Sequence, residues 1–561
     1  MKVIIIGGVA GGASAAARLR RLDEKAEIVI YERTGFISYA NCGLPYYIGE
    51  VIKEESNLTL QTPESFFRRF NINVNVNHEV IDINPKEKII KVKNLLTGLE
   101  FIDNYDKLII STGATPNVPD YYIEDERIFT LRTVEDTLRI KEYVDNHKPR
   151  RAIIIGGGFV GLEMAENLKG LGMDVTVIER NNQLLSSIDY DMSSFLHSYL
   201  RSNGINLVLN TNIKELSVLD KEITVNTFDN CAFKADLVLV STGVKPESYL
   251  AKKAGLKLGI NGSIKVNSKM ETSVSDIYAV GDVVELKHYI TKEETVVSLA
   301  GPANKEGRIA ADNICGINSE YKGSQNSSII KIFDLIVATT GINETQAKIN
   351  NIAYEKIILS PLSHASYYPD SKLLTIKFLY RKDTLDILGA QILGYDGVDK
   401  RIDVIATAIR GGLKATDLKD LDLAYAPPFS SAKDPINMIG FIADNIESGI
   451  VKQFYYEDIK RLRGEAVILL DTRTIMEYNR AHAEGFMNIP VDDLRNNLHQ
   501  LDQTKRIYVM CQSGLRSYIA TRILVQNGFD AYNFAGGFRL YNSIFNEELL
   551  AKTSYPCGME L

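Results

Sequence analysis

The sequence predicts an α/β protein of several domains, and three recurring patterns support this expectation. An apolar strand, a glycine-rich turn and an alanine-rich helix follow one another around residues 7–12, and a similar pattern returns around residues 156–161. A third strand runs into a loop that carries Cys511 and then into a helix. Strands that alternate with helices in this way form parallel sheets. Because 561 residues are too many for one core, roughly three to five domains are expected.

Composition limits the classes of function. The net charge is −7, so the protein has no overall basic field for nucleic acid. No stretch of about 20 apolar residues could span a membrane, and the N-terminal strand leaves no room for a signal peptide, so a cytoplasmic location is expected. Five widely spaced cysteines, Cys42, Cys231, Cys315, Cys511 and Cys557, argue against a disulfide framework and favour reactive thiols.

The first glycine turn predicts a dinucleotide site. Residues 2–6 form a β-branched strand, and Gly7, Gly8, Gly11 and Gly12 let the backbone approach a pyrophosphate at the start of the next helix. The following strand ends at Glu32, whose carboxylate can bind a ribose diol. Val9 occupies the position of the usual middle glycine.

The second glycine turn has all three glycines of the dinucleotide fingerprint, at Gly156, Gly158 and Gly161. Its second strand ends at Glu179 and Arg180. Glu179 favours the free 2′-hydroxyl of NADH, whereas Arg180 could contact the 2′-phosphate of NADPH. The sequence therefore leans towards NADH without excluding NADPH.

Two similar turns, at residues 111–116 and 241–246, each follow an apolar strand and are expected to mark the passages between two nucleotide domains. A later strand ends at Gly281 and Asp282, where an acid is well placed for a ribityl hydroxyl. The order of these motifs over about residues 1–445 resembles the flavoprotein disulfide reductases. This resemblance implies FAD in the first nucleotide domain, NADH or NADPH in the second, and a homodimer.

The motifs and the resemblance together divide the chain into consecutive segments. The expected segments are the first part of the FAD domain (1–112), the NAD(P)H domain (113–242), the second part of the FAD domain (243–324), an α+β dimerisation domain (325–445), a linker (446–455) and a C-terminal α/β domain (456–561).

The resemblance also implies which residues contact the cofactors. The expected FAD contacts are Gly7, Gly8, Ala10, Gly11, Gly12, Glu32, Arg33, Thr112, Gly113, Gly281 and Asp282. The expected NAD(P)H contacts are Gly156, Gly158, Gly161, Glu179 and Arg180. No metal site is expected.

Cys42 is the expected redox centre of the first domain. Common members of the resembled family carry Cys-x-x-x-x-Cys, but here Tyr47 occupies the second position, so this loop cannot form an internal disulfide. The region around Tyr425 also lacks the family's histidine. A single thiol must then cycle through a mixed disulfide, a persulfide or a sulfenic acid.

The pattern Ser-x-x-Asn-Cys-Gly-x-Pro-Tyr-Tyr at residues 38–47 resembles the coenzyme A disulfide reductases, whose cysteine is held as a mixed disulfide with coenzyme A. In that family two tyrosines of the partner subunit assist the cysteine, and the motif places them at Tyr367 and Tyr425. Tyr368 is an alternative to Tyr367, and all three tyrosines could instead be interface packing. A phenol can donate a hydrogen bond to a leaving thiolate where no histidine is present.

Coenzyme A is anionic and needs basic contacts. Arginines on the first helix could form a solvated surface, but the resemblance favours a role in binding. The residues it implies for coenzyme A are Ser14, Arg18, Arg21, Ser38, Asn41 and Lys433.

The C-terminal segment contains a second reactive cysteine. Cys511 lies in a strand-to-helix loop, where backbone N–H groups and the helix dipole can stabilise an anionic sulfur. The four-residue spacing to Arg516 and the pair Asp471 and Arg473 resemble the rhodanese family over about residues 456–550. The resemblance implies that Cys511 carries a persulfide and that Arg516 closes the loop. Cys557 could relay sulfur or be an incidental thiol.

These observations favour an NAD(P)H-dependent reductase of coenzyme A disulfide, persulfide or polysulfide, with a rhodanese domain and sulfane-sulfur donors. The nearest alternative is an NADH oxidase or peroxidase that cycles Cys42 through sulfenic acid. Ala10 counts against it, because the resembled oxidases have a histidine in that turn. A redox-sensing binding protein is the alternative of another class.

Overall fold

The computed structural model describes residues 1–219 and 222–553. These residues form two compact units. The first unit contains residues 1–181 and 204–324, and the second contains residues 182–203 and the chain from residue 325 onward. The α/β fold class with two Rossmann-like sheets is confirmed.

The first 112 residues supply most of one nucleotide-binding sheet and the loop that carries Cys42. In chain order the elements are β1 (Lys2–Ile6), α1 (Ala10–Leu22), β2 (Glu27–Tyr31), α2 (Leu44–Ile48), α3 (Pro63–Phe70), β3 (Asn73–Asn75), β4 (His78–Asn84), β5 (Ile89–Asn94), β6 (Glu100–Asn104) and β7 (Lys107–Ile110).

The next segment supplies the second nucleotide-binding sheet. Its elements are β8 (Ala114–Pro116), β9 (Ile128–Phe129), α4 (Val134–His147), β10 (Arg151–Ile155), α5 (Phe159–Gly170), β11 (Asp174–Ile178), α6 (Tyr190–Ser202), β12 (Asn206–Val208), β13 (Ile213–Leu219), β14 (Glu222–Thr227), β15 (Ala232–Ala235) and β16 (Leu237–Val240). Helix α6 belongs to the second unit.

The chain then returns to the first sheet. The elements are β17 (Val244–Pro246), α7 (Tyr249–Lys253), β18 (Ile264–Lys265), β19 (Ile277–Ala279), β20 (Val284–Lys287), β21 (Glu294–Thr295) and α8 (Ala300–Ile314). Strand β19 pairs in parallel with β7, so the first sheet has the order β19-β7-β1-β2-β3. Residues 277–279 therefore complete a sheet that began near residue 2.

Both nucleotide-binding sheets are parallel and buried. The second has the order β12-β11-β10-β16-β9. The isoleucines of β1 and β10 are almost fully buried, as expected for parallel strands covered on both faces. The two similar turns predicted as domain passages pair with each other, because β8 and β17 form a short antiparallel ladder.

The second unit contains an antiparallel sheet followed by a parallel one. Its elements after α6 are β22 (Ser328–Ile332), β23 (Leu335–Gly341), α9 (Glu344–Ile349), β24 (Tyr354–Leu359), β25 (Leu374–Arg381), β26 (Ile387–Gly394), α10 (Val398–Gly411), α11 (Pro435–Glu447), β27 (Lys452–Phe454), α12 (Tyr456–Leu462), β28 (Ile468–Asp471), α13 (Ile475–Arg480), β29 (Met487–Asn488), β30 (Ile507–Met510), α14 (Leu515–Gln526), β31 (Ala531–Phe534) and α15 (Gly537–Thr553).

The antiparallel sheet has the order β22-β23-β26-β25-β24, and the C-terminal parallel sheet has the order β27-β31-β30-β28-β29. Helix α15 packs against α6, so a segment located between the two nucleotide sheets in sequence joins the second unit. Short 3₁₀ turns connect the elements, at Asn41–Gly43, Glu55–Leu58, Ile260–Gly262, Ala415–Asp420, Leu494–Asn496 and Leu498–Gln500.

A buried lysine in β25 joins three segments of the second unit. The Nζ atom of Lys377 lies 2.8 Å from Asp191, 2.9 Å from Asp189 and 2.6 Å from Glu344. Burial alone would lower the pKa of Lys377, but the three carboxylates raise it above its ordinary value, so the side chain stays charged. An ammonium held by three carboxylates ties α6 and α9 to the sheet.

Across the described ranges 1–219 and 222–553, no helix is both long enough and apolar enough to cross a membrane.

Candidate active sites

Two glycines of the first turn are required by close backbone contacts. A Cβ on Gly12 would lie 1.9 Å from the carbonyl oxygen of Gly7, and one on Gly7 would lie 2.2 Å from that of Ser111. Gly7 also has a φ of +99°, which side-chain-bearing residues rarely adopt. Helix α1 therefore begins against the end of β1, with its N-terminus at the turn.

The middle position of each turn, unlike Gly7, does not require glycine for its backbone conformation. Val9 has a φ of −101° and Gly158 a φ of −84°, so neither backbone needs glycine. A Cβ on Gly158 would meet no protein atom within 4 Å. The open space beside Gly158 is consistent with room for a pyrophosphate. Valine at the first turn is compatible with the backbone there.

A cavity of about 250 Å³ lies at the first turn. It is lined by several of the expected FAD contacts, namely Gly7, Glu32, Arg33, Thr112 and Gly113. Glu32 accepts hydrogen bonds from the N–H of Gly8 (2.9 Å) and Thr34 (2.9 Å). Its carboxylate is thus fixed at the strand end, where a ribose would bind.

The Gly281–Asp282 turn has two partners that the sequence did not indicate. Arg132 donates to Asp282 at 2.6 Å and also lines the 250 Å³ cavity. Below the turn, the buried carboxyl of Glu306 accepts the N–H of Gly281 at 2.7 Å. Burial raises the pKa of Glu306 to about 8, so it is largely protonated at neutral pH. Both residues lie far along the chain from the turn, which hides them from motif analysis.

The second turn repeats the arrangement of the first. Glu179 accepts the N–H of Gly157 at 2.7 Å and that of Asn181 at 2.9 Å. The side chain of Arg180 is exposed. The carboxylate is therefore fixed at the end of β11, while the arginine side chain extends into solvent.

Cys42 lies on the 3₁₀ turn that precedes α2 and is exposed. Its loop is tied to the first glycine turn, because the N–H of Ser38 donates to the carbonyl of Gly8 at 2.8 Å. Partial desolvation of the sulfur raises the pKa of Cys42, the nearby Glu163 raises it further, and Arg132 opposes the shift. This thiol is harder to ionise than an ordinary cysteine.

Glu163 was not identified as a functional residue from the sequence. It lies on α5, which packs against α2, and a Cβ on Gly49 would clash with Asn167 of that helix at 1.9 Å. The hydroxyl of Tyr46 lies 3.5 Å from Oε1 of Glu163. Burial, and then the charge of Glu166, raise the pKa of Glu163 to about 7. A titratable carboxyl therefore faces the Cys42 segment.

Tyr367 and Tyr425 lie together in the second unit. Their hydroxyl oxygens are 2.7 Å apart, and their side chains are 74% and 47% exposed. The hydrogen bond to Tyr367 raises the pKa of Tyr425. The ring of Tyr368 instead packs against the buried His364. The geometry groups Tyr367, rather than Tyr368, with Tyr425.

A buried arginine anchors both tyrosine loops. One guanidinium nitrogen of Arg401 donates to the carbonyl of Ser363 (2.8 Å) and to Asp434 (3.0 Å). Asp434 in turn caps α11 and accepts the hydroxyl of Ser430 at 2.6 Å. Nothing in the local sequence marks this role of Arg401, since Ser363 lies 38 residues before it and Asp434 lies 33 residues after it.

The residues expected to bind coenzyme A belong to both units. Ser14, Arg18 and Arg21 share one face of α1, but Arg18 is paired with Asp312 at 2.7 Å, and Ser14 donates to Asn304. Asn41 lines the 250 Å³ cavity beside the glycine turn. Ser38 and Asn41 flank Cys42 in the first unit, whereas Lys433 belongs to the second unit.

Cys511 is buried at the end of β30, before α14. Its sulfur accepts the N–H of Gly514 at 3.1 Å and the hydroxyl of Ser517 at 3.3 Å. Arg516 forms two 2.7 Å hydrogen bonds to Glu477. These bonds lower the pKa of Glu477 to about 2. The loop therefore places two neutral hydrogen-bond donors at the sulfur of Cys511.

A buried ion pair lies at the end of β28, the strand that pairs with β30 beside the cysteine loop. Arg473 donates to Asp471 at 2.7 Å, and its guanidinium lies 3.8 Å from the ring centroid of Phe538. The amide of Asn488 donates to both carbonyls of this pair of residues. Cys557 lies outside the described residues.

A cavity of about 430 Å³ in the second unit reaches the cysteine loop. Ser513, Gly514 and Leu515 line it on one side, and Lys433 lines it on another. Most of the remaining wall is apolar, with Phe441, Met438, Ile442, Pro361 and Phe534 among its residues. An elongated, largely apolar thiol that carries an anionic group would match this lining.

The comparisons with known proteins identify the class. Residues 1–307 match the family described as "Pyridine nucleotide-disulphide oxidoreductase", and residues 327–435 match the dimerisation domain of that family. Residues 456–543 match the rhodanese-like domain. The chain belongs to the pyridine nucleotide-disulphide oxidoreductases and carries a C-terminal rhodanese domain. Both resemblances inferred from the motifs are confirmed.

Individual relatives narrow the comparison. A coenzyme A disulfide reductase of Staphylococcus haemolyticus (strain JCSC1435) is 36% identical over 79% of this chain and 100% of its own length. The crystal structure of reduced Bacillus anthracis CoADR-RHD is 47% identical, with a TM-score of 0.95, over 97% of this chain and 98% of that one. An NAD-dependent persulfide reductase from A. fulgidus is 36% identical, with a TM-score of 0.91, over 96% of this chain and 100% of that one.

The two kinds of glycine in the second turn predict different defects. In Gly161→Ala, the new Cβ would lie 2.1 Å from the carbonyl oxygen of Gly156, so this variant should lose about 1–3 kcal/mol of stability. Gly158→Ala meets no protein atom and should keep its stability, but its methyl group should obstruct the nicotinamide cofactor and raise the KM for NADH about tenfold. Thermal unfolding and initial-rate kinetics measure the two effects. Equal thermal destabilisation by both substitutions would contradict this prediction.

Proposed function

We propose that the protein is an FAD-containing, NAD(P)H-dependent reductase of coenzyme A disulfide and coenzyme A persulfide. The observation that carries the proposal is an exposed cysteine, Cys42, tied to a nucleotide turn in a loop that has Tyr47 where a second cysteine would stand. The similarity of nearly the whole chain to proteins named CoADR-RHD and persulfide reductase supports it. The position of Glu179 at the end of β11 favours NADH as the reductant.

The residues of the first unit have distinct roles in this reaction. FAD, when bound, supplies the transfer of an electron pair from the nicotinamide to sulfur. Cys42 as a thiolate attacks one sulfur of the substrate disulfide, so a mixed disulfide forms and one coenzyme A thiolate leaves. Two electrons then break the mixed disulfide and release the second thiolate. The two thiolates take up two protons, which balances the reaction.

The two tyrosines are proposed to act across a homodimer. A matching dimerisation domain and the exposure of both phenols support this arrangement. The partner subunit's Tyr425 would donate a hydrogen bond to the thiolate that leaves Cys42. Its raised pKa keeps the phenol protonated, as a donor must be.

The rhodanese domain is proposed to carry sulfane sulfur. Cys511 as a thiolate takes the outer sulfur of a persulfide donor, and the donor leaves as a thiol. A coenzyme A thiolate then takes that sulfur from Cys511, and the resulting coenzyme A persulfide reacts at Cys42 to release hydrosulfide. The cavity between Lys433 and the Cys511 loop supports this route, because it offers apolar walls for a thiol arm and a cation for a phosphate.

The oxidase alternative is supported less well. A sulfenic acid at Cys42 has no histidine near it in the glycine turn, where Ala10 stands, and it gives no role to the Cys511 loop. A purely sensing protein would not need the donors aimed at the buried sulfur of Cys511.

The species on Cys42 distinguishes the reductase from the oxidase. Mass spectrometry of the purified protein should show a coenzyme A adduct on Cys42 that NADH removes, whereas one added oxygen atom would favour the oxidase. Cys42→Ser should lower the NADH-dependent reduction of coenzyme A disulfide by at least about a thousandfold, because it removes the nucleophile. Cys315→Ser is the matched control and should keep the wild-type rate.

The tyrosine pairing predicts an order of effects. Tyr425→Phe should lower kcat for coenzyme A disulfide by about a hundredfold, since it removes the proposed hydrogen-bond donor. Tyr367→Phe should lower kcat by less, because it removes the partner that orients Tyr425 at 2.7 Å. Tyr368→Phe should have little effect. Steady-state kinetics at saturating NADH measures this order. A larger effect of Tyr368→Phe than of Tyr367→Phe would contradict the role proposed for Tyr367.

The role of the second sulfur site can be tested separately. With a sulfane-sulfur donor and catalytic coenzyme A, the wild-type protein should release sulfide at the expense of NADH. Cys511→Ser should lose most of this activity but retain the reduction of coenzyme A disulfide, because Cys42 is unchanged. Sulfide release and NADH oxidation are measured in parallel. An unchanged rate of sulfide release in Cys511→Ser would remove the rhodanese domain from the reaction.

A further inference from the structure

The proposed reaction leaves one proton without a source in the first unit. Reduction of a disulfide to two thiols takes up two protons, and a hydride donor supplies two electrons with only one proton. The second proton comes from solvent. A group that takes it up beside the reacting sulfur would allow the leaving thiolate to be neutralised when it forms.

Glu163 is placed for this task. It is the carboxyl that α5 presents towards α2, and it shares the site with the phenol of Tyr46 at 3.5 Å. The influences on its pKa are burial, Tyr46 and Glu166, and none of these is a cation. A partly buried carboxyl without a cation among these influences changes its protonation state near neutral pH instead of staying ionised.

We propose that Glu163 is the proton store of the Cys42 site. Its carboxylate binds one proton while Cys42 is a thiolate, and it gives up that proton as the negative charge moves to the leaving thiolate. Glu163 acts as a proton-storing residue, and its contact with the substrate is not required. The inference rests on the proposed function for the identity of the leaving thiolate, but the linkage between Glu163 and Cys42 does not depend on that identity.

The charges around the site set the direction of this linkage. An ionised Glu163 raises the pKa of Cys42, and Asp282 acts in the same direction, whereas Arg132 opposes both. By reciprocity a Cys42 thiolate raises the proton affinity of Glu163. Formation of the mixed disulfide removes the negative sulfur, so the affinity of Glu163 for its proton falls. The pKa of Glu163, about 7, lets it exchange the proton with solvent near neutral pH.

The alkylation rate of Cys42 tests this linkage without any coenzyme A. Protein reduced with dithiothreitol is treated with iodoacetamide between about pH 5 and pH 9, and the Cys42 peptide is quantified by mass spectrometry. In the wild type the rate should rise over a broad pH range, because two linked groups titrate. Glu163→Gln should show a one-proton curve at lower pH, with about tenfold faster alkylation near neutral pH, which equals one unit in pKa.

Two further variants keep the test decisive. Glu166→Gln removes a neighbouring carboxyl from the same helix. This variant should retain the broad curve, with its break at lower pH, because the charge of Glu166 raises the pKa of Glu163. Tyr46→Phe removes the phenol that lowers the pKa of Glu163 and should move the break in the curve to higher pH. If Glu163→Gln does not fold, the alkylation curve of Tyr46→Phe decides whether the proposal holds. The absence of a shift in that curve would overturn the proposal. An unchanged curve in folded Glu163→Gln, or the same change in Glu166→Gln, also overturns it.

Turnover separates a failure of this proposal from a failure of the proposed function. With coenzyme A disulfide, Glu163→Gln should lower kcat about tenfold above pH 7 and leave the KM unchanged. Absence of wild-type turnover with this disulfide would refute the assigned substrate while the alkylation curves still decide the role of Glu163. If Glu163→Gln keeps the wild-type kcat across the pH range, the proposed role of Glu163 as a proton store is wrong.

Discussion

The first unit depends on one close backbone contact, between the start of α1 and the end of β1. Gly12 lies against the carbonyl of Gly7 at a distance that no side chain tolerates. This contact aligns the strand and the helix around the nucleotide turn. In the same turn the carbonyl of Gly8 accepts the N–H of Ser38. This hydrogen bond fixes the position of the Cys42 loop relative to the nucleotide turn. The position of the reactive sulfur is therefore a consequence of how a dinucleotide turn is built.

The two reactive cysteines occupy opposite environments. Cys42 is exposed, and desolvation together with Glu163 disfavours its thiolate. Cys511 is buried, and a backbone N–H and a hydroxyl point at its sulfur. In the proposed reaction Cys42 alternates between a thiolate and a mixed disulfide. Cys511 would instead hold a persulfide, whose negative charge these two donors would stabilise.

The second unit combines segments that the sequence separates. Helix α6, located between strands of the second nucleotide sheet in sequence, packs with the rhodanese helix α15, and Lys377 binds carboxylates from α6 and α9. Removal of this lysine would leave three carboxylates facing one another, so the lysine and its partners stabilise one another as a group. The same unit holds Lys433 and the Cys511 loop on one cavity. The dimerisation and rhodanese segments thus share a packed core within the unit.

The sequence by itself determined the class of protein, and it singled out Cys42 and Cys511 as the cysteines that lie in motif loops. Gly156, Gly161, Asp471 and the Cys511 loop are recognisable because their geometry depends on neighbours a few residues away. Only the tertiary structure showed the contacts of Glu163 with Tyr46, of Arg401 with Ser363 and of Arg516 with Glu477. In each of these contacts the two residues lie far apart along the chain. The pairing of Tyr425 with Tyr367 instead of Tyr368 also depends on the tertiary structure, because adjacent residues on a loop differ only in where their side chains point. Local backbone constraints leave a pattern in the sequence, whereas desolvation and long-range charge arise only when distant segments pack together.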